Sequence, residues 1–293
     1  MPSHTSSSTD IPKHADLDHA DEENRFTLTP FGRALKAALA RRGVALADLC
    51  DFADVSMRRL LAEYGAMFLA ADGVLVPPRC VFRDEAEVAE FQARAASACA
   101  AFGADPIELQ SAALNALLAA RDEAESEGLT ITPRGGSEAA RRTYADTVRL
   151  WASRVVPALA HWTAQGMLEA CEAERLLALT PAEQLPEVLK LEERGLFCST
   201  DFGKSILYSV AAPGASQHLS LLAFDVTEFQ EPRVRALLAR HGWHQTVWSD
   251  LPHFTFLGFR EKELPGLGLR RVVTDAPLRQ TFWIPDLTVT GDE

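Results

Sequence analysis

Pro213-Gly-Ala-Ser216-Gln-His218-Leu-Ser-Leu-Leu-Ala-Phe-Asp225 and Trp248-Ser-Asp250-Leu-Pro-His253-Phe-Thr-Phe-Leu-Gly258 are the stretches on which the reading of this chain turns. In the first, Pro-Gly marks a turn that delivers His218, and a strand then delivers a carboxylate seven residues on. The second places Asp250 three residues before His253, ahead of an aromatic run. From Gly195 onward β-branched and aromatic residues, Gly and Pro dominate, and helical spacing returns only at Pro232 to His241. Strands are expected at Ile206 to Val210, Leu219 to Val226, Thr246 to Ser249, Phe254 to Leu257 and Thr281 to Ile284.

Upstream the pattern is helical. Thr29 and Pro30 open a helix with Phe31, Leu35, Ala38 and Leu39 on one face, ending at Gly43. A second helix is expected over Leu46 to Glu63, and a hairpin over Met67 to Val76 around Asp72-Gly73. Asp84-Glu85 precedes Val88, Phe91 and Ala95 at helical spacing, and Pro106 is expected to start a helix running to Gly128. Leu129 to Thr132 reads as a buried strand. Ser137 is expected to cap a long helix carrying Tyr144, Val148, Trp151, Val155 and Leu159, with further helices at Met167 to Leu179 and Pro181 to Arg194. Helices grouped before an antiparallel meander predict an α+β fold rather than a parallel βαβ sheet.

The 293 residues include 29 basic and 41 acidic side chains, a net charge of −12 that argues against nucleic acid or an anionic membrane as partner. Residues 1–24 hold six acids against Lys13 and almost no large apolar residue, so this stretch is expected to be a disordered acidic tail. It has no apolar signal-peptide core and no long apolar run follows, so a chain without a membrane span, placed in the cytoplasm unless a leader has been removed, is expected. Cys50, Cys80, Cys99, Cys171 and Cys198 form no Cys-x-x-Cys pair and read as mostly buried thiols of a reducing compartment. The motifs of phosphate loops, serine-hydrolase elbows and His-Glu-x-x-His zincins are missing.

Two imidazoles and one carboxylate make a three-ligand set that leaves a fourth zinc position for water, the pattern of a catalytic site. A separate carboxylate beside that water can take its proton. The competing reading is structural, with hydrogen-bonded core histidines and with Asp225 and Asp250 as turn caps.

At these residues the chain resembles the zinc D-alanyl-D-alanine carboxypeptidase and dipeptidase family, which shares its core with the Hedgehog signalling domain. The pattern of that family is Ser-x-His, Asp seven residues after the His, then Glu-x-x-His. Ser216-Gln-His218, Asp225 and Asp250-Leu-Pro-His253 are similar to it. The resemblance implies a Hedgehog/DD-peptidase-like antiparallel sheet with flanking helices, and Zn²⁺ held by His218, Asp225 and His253. It implies Asp250 as general base, with Ser216 positioning a small peptide or peptidoglycan-fragment substrate. Arg141-Arg142-Thr143-Tyr144 looks like the family's Tyr-Arg-Ser segment, which implies that Arg142 binds the substrate carbonyl and its developing oxyanion. Arg134 and Arg141 are substitutes for it, and Lys204 and Tyr208 are further candidates for the cleft.

The chain departs from that pattern in four ways. Asp250 replaces the usual Glu and is one methylene shorter. Ser220 replaces a glycine, which is tolerable only if that backbone needs no positive φ. The segment between Arg142 and His218 is long and helical, suggesting an insert at about residues 152–194 within a peptidase-like domain at 81–293. A small N-terminal unit, residues 25–80, has no counterpart. The expected activity is hydrolysis of D-amino-acid-containing peptides. The alternative is a zinc-binding module of little or no activity that binds peptide or protein partners.

Overall fold

The computed structural model describes residues 14–275 and 279–289. Thr29 accepts a hydrogen bond from the Gly32 amide and caps the helix that Pro30 starts, as the sequence predicts. In chain order the elements are α1 (His14–Thr27), α2 (Pro30–Arg41), α3 (Leu46–Leu49), α4 (Val55–Tyr64) and α5 (Glu85–Arg94). A hairpin of β1 (Ser97–Phe102) and β2 (Asp105–Gln110) leads to α6 (Ser111–Ser126), α7 (Tyr144–Ala164), α8 (Ala170–Ala178) and α9 (Pro181–Glu193). The remainder is β3 (Ala223–Asp225), α10 (Pro232–Arg240), β4 (Trp243–His244), β5 (His253–Phe256), β6 (Leu269–Val273) and β7 (Thr281–Pro285). The strands form three small antiparallel sheets, β1-β2, β3-β5-β4 and β6-β7, so the fold is α+β.

Several expectations give way. Residues 14–24, expected to be disordered, belong to α1, whose C-terminal end is anchored by Phe26 against Phe31 and Phe52; residues 1–13 lie outside the described residues. The helix expected from Leu46 to Glu63 breaks after Leu49 and restarts at Val55, where Asp54 accepts from the Ser56 amide. Around Asp72-Gly73 there is a turn but no hairpin, because the run before it winds into a 3₁₀ helix, Gly65–Leu69, that buries all five of its residues. Pro106 sits in β2 rather than at a helix start. Gly103, at φ +62°, turns the chain between β1 and β2. Leu129 to Thr132 is no strand; only a single bridge, Pro133 to Val226, joins that segment to the sheet edge. Thr143, not Ser137, caps α7 in a reciprocal capping box with Asp146. The strand expected at Ile206 to Val210 begins as a 3₁₀ turn, and that at Leu219 to Val226 shortens to β3. Residues 246–249 lie outside any strand, while β4 and β6 were not foreseen.

Two large bodies of buried apolar residues organise the molecule, beside a smaller one that packs Phe82, Val88 and Phe91 against Leu219 and Leu221. One joins α2, α3, the β1-β2 hairpin, α6 and α10 to the face of the central sheet through Phe31, Leu35, Leu117, Phe224, Leu238 and Trp243. The other stacks α7, α8 and α9 against Leu60 and Tyr64 of α4 and the 206–215 segment. The segment 25–80 contributes to both bodies and is therefore integral to the fold. The expected insert is continuous with α7, which begins immediately after the Arg142–Thr143 corner.

Candidate metal centre

The central sheet brings the proposed ligands together by register. Asp225 is the last residue of β3, His253 is the first of β5, and the two are direct antiparallel partners. Cross-strand partners on one face stand about 4.5–5.5 Å apart at Cβ, within reach of a shared ion. Asp250 precedes His253 by one turn, closed by the His253 amide on the Asp250 carbonyl at 3.3 Å. The Asp-x-x-His spacing therefore folds its two ends toward one another. Ser249, at φ +63°, is one of the few non-glycine residues in the left-handed region, a strain of the kind stored where a neighbouring group must be aimed.

His218 rides on a 3₁₀ turn, Gln217–Ser220, that enters β3. The loop before it is pinned at Gly214, whose φ is +82°; a Cβ there would meet the Phe82 carbonyl oxygen at 2.0 Å. Ser220 does not need positive φ; the left-handed position falls one residue on, at Leu221 (φ +59°). The departure from glycine at 220 is thus harmless.

The three donor atoms converge. Asp225 Oδ1 lies 3.1 Å from His253 Nδ1 and 3.3 Å from His218 Nε2, and those two nitrogens are 3.1 Å apart. His218 Nδ1 faces the Ala140 carbonyl at 3.1 Å, and His253 Nε2 faces Gln217 Oε1 at 2.9 Å. A carbonyl oxygen only accepts, so each outer nitrogen meets its carbonyl as a donor, and the inner nitrogens, His218 Nε2 and His253 Nδ1, are left to face each other and Asp225 Oδ1. Two such nitrogens and a carboxylate oxygen in mutual contact need a proton or a metal cation among them. The buried group of His218, Asp225 and His253 can therefore hold a metal ion.

The electrostatics agree with this. Burial, helped by the nearby Arg142 cation, pushes His218 down to about 4, which keeps it neutral. Burial opposes charge on Asp225, yet contacts with His218 and His253 hold its carboxyl well below the ordinary range. Asp250 behaves in the opposite way: burial, reinforced by Asp225, raises its carboxyl despite the opposing pull of His253. Adjacent carboxylates with divergent proton affinities are what separate roles of ligand and base require.

Arg142 reaches the site but is engaged there, donating from Nη2 to Asp225 Oδ2 at 2.8 Å and from Nε to the Glu138 carbonyl at 3.1 Å. The second oxygen of Asp225 is thereby oriented by a cation. Ser216, Asp250 and Arg142 line one cavity with the three ligands, about 180 Å³ in volume. Its far wall includes Leu150 and Arg154 of α7. Of the substitutes, Arg141 pairs with Glu108, and Arg134 lies over the Phe229 ring. Lys204 does not line the cavity, and Tyr208 lines a neighbouring one, where Arg59 donates to its hydroxyl.

Residues missed from the sequence include Gln217, Tyr64 and Arg154. Arg154 sits on α7 one turn after Leu150, a spacing readable only once the helix is known to cover the cleft. Gln217 lies between two residues singled out from the sequence, and only the fold reveals what its amide touches. Elsewhere, His161 stacks on Phe202, His241 meets Glu123 and His244 donates to the Phe259 carbonyl. No helix among the described residues is long and apolar enough to cross a membrane. No family model, curated protein or solved structure matches the chain.

Proposed function

We propose that the chain is a zinc-dependent peptidase acting on small D-amino-acid-containing peptides, such as D-Ala-D-Ala or peptidoglycan fragments. The observation that carries this reading is the inward-facing donor set of His218, Asp225 and His253 in a cavity that also holds Asp250. Two neutral imidazoles and one carboxylate suit Zn²⁺, which supplies Lewis acidity and lowers the pKa of water toward neutrality. Asp250, with its carboxyl raised, accepts the proton of the attacking water and returns it to the leaving amine. Arg142 holds Asp225 through Nη2 and offers its remaining Nη1 to a substrate carbonyl as charge develops there. The cavity lies below the roughly 300–1,000 Å³ of ordinary small-molecule pockets, which favours a short peptide.

A binding module with little turnover is the second reading, favoured by the bond of Arg142 to Asp225 and by the short side chain at position 250. Zinc stoichiometry and turnover of a D-Ala-D-Ala peptide panel by the wild type and by Asp250→Ala separate the two. Zinc bound with no turnover by the wild type supports the module and sinks the peptidase.

A further inference from the structure

Residues 25–80, to which the resemblance assigns no role, carry two thiols, Cys50 and Cys80, that stand 30 positions apart and outside any Cys-x-x-Cys spacing. The fold puts them together. Cys50 ends α3 in extended backbone, and the Cys80 amide donates to the carbonyl of Leu49, the chain neighbour of Cys50, at 2.7 Å. The two sulfurs are 2.9 Å apart, inside ordinary packing contact, and less than about 1 Å short of the roughly 2.05 Å of a disulfide bond. Of the five thiols, these alone touch one another among the described residues. Cys198 is buried in the helical layer, and Cys99 and Cys171 are exposed on β1 and α8.

We infer that Cys50 and Cys80 form a modification site, which a peroxide closes into a disulfide that fastens the end of the N-terminal unit to α3. Cys80 reacts first. It is 9% exposed against 3% for Cys50, whose thiol is held protonated by its hydrogen bond with Cys80 and by burial. The Cys80 sulfur attacks one oxygen of hydrogen peroxide: an S–O bond forms, the O–O bond breaks, and the departing hydroxide leaves as water with the Cys80 proton. The Cys50 sulfur then attacks the Cys80 sulfur: the S–S bond forms, the S–O bond breaks, and the second hydroxide leaves as water with the Cys50 proton. Two thiols have lost two electrons, and one peroxide has become two waters.

The bond closes a loop of about 30 residues that contains α4, whose last residue, Tyr64, gives its main-chain carbonyl to Gln217 Nε2 at 2.8 Å. Closing a loop of that length removes chain entropy from the unfolded state and so stabilises the fold. Neither sulfur lines the cavity of the metal centre, so the site answers to peroxide whatever that cavity holds.

The test uses the full chain with Cys99→Ser and Cys171→Ser, which keeps the exposed thiols from consuming the oxidant. Hydrogen peroxide is added to the native, reduced protein, and intact mass, non-reducing peptide maps and thermal melting are recorded before and after a thiol reductant. The expected product is about 2 Da lighter, yields a cross-linked Cys50–Cys80 peptide, melts about 5–10 °C above the reduced form and reverts with reductant. Cys80→Ala should show none of these changes, and each protein is compared with its own reduced form, so the cost of the substitution cancels. Should Cys80→Ala not fold, the peptide map decides alone. A cross-link through Cys198, oxygen added to Cys80 without a cross-link, or a cross-link that leaves the melting temperature unchanged overturns the inference. Peptide turnover enters none of these readings, so the peptidase can fail while the disulfide stands, and the reverse.

Discussion

The cluster around His253 and the layer of α7, α8 and α9 are both buried, but they are held by opposite means. In the first, Gln217, His218, Thr246, His253 and Thr255 are at most 4% exposed, and each is tied to a neighbour by a directional bond. In the second, Trp151, Val155, Leu159, Leu176, Val188 and Leu191 contribute apolar area with few polar constraints. A satisfied polar network specifies one arrangement of protons and fails when one partner is lost. A packed apolar layer specifies volume and tolerates exchange of shape at similar size. The molecule thus sets a rigid chemical centre beside a wall that can change composition.

The largest effect that separates the regions is expected at Asp250. Asp250→Asn should lower turnover of a D-Ala-D-Ala peptide by about 10²–10⁴. The same substitution should raise the melting temperature of metal-free protein, since a buried carboxyl with raised proton affinity destabilises the fold when ionised. A melting temperature that drops would break the claim that burial dominates there. In the layer, Leu191→Ala should cost about 2–5 kcal/mol by urea denaturation, while zinc affinity of the native protein stays within twofold.

A smaller and more telling contrast pairs two near-isosteric changes. Thr255→Val should cost about 1–3 kcal/mol, because it removes the acceptor of Thr246 and one donor of Gln217. Leu191→Met should cost less than about 1.5 kcal/mol. Equal losses in chemical denaturation would erase the distinction between the regions. The gentlest effect is a pH slope. His218 titrates at about 4 when folded against 6.5 when free, so the unfolded chain takes up the proton first as pH falls. Stability of metal-free protein should therefore decline from about pH 6.5 down to about 4, with Asp225 adding its loss below 3.8, and His218→Gln should flatten the upper part of that slope.

The convergence of His218, Asp225 and His253 was legible because its logic is local: a turn, a strand and a three-residue return bring them into one place. The helices that begin at Pro30, Glu85 and Pro181 were legible for the same reason. What stayed hidden depends on distant partners. Ala98 and Ala100 carry no strand signal and become β1 only by pairing with β2. Arg142 reaches the cluster, but its bond to Asp225 spans 83 residues of sequence, so its immediate partner could not be read from spacing. Gln217 is ordinary as a letter, and its importance comes from a carbonyl 153 residues away.

The thiols offer a means of watching the two large apolar bodies separately. Cys99 and Cys171 are exposed, whereas Cys50, Cys80 and Cys198 are buried. Cys50 and Cys80 lie with their sulfurs 2.9 Å apart in the body built on α2 and α3, and Cys198 lies in the helical layer. The close neighbour holds the Cys50 thiol protonated, and burial pushes Cys198 up to about 12, so these two are poor nucleophiles while folded. A maleimide pulse on native protein should therefore add two labels quickly. The peptide that carries the third label tells which body opens first: Cys198 if the apolar layer loosens ahead of the rest, Cys50 or Cys80 if the body built on α2 and α3 does.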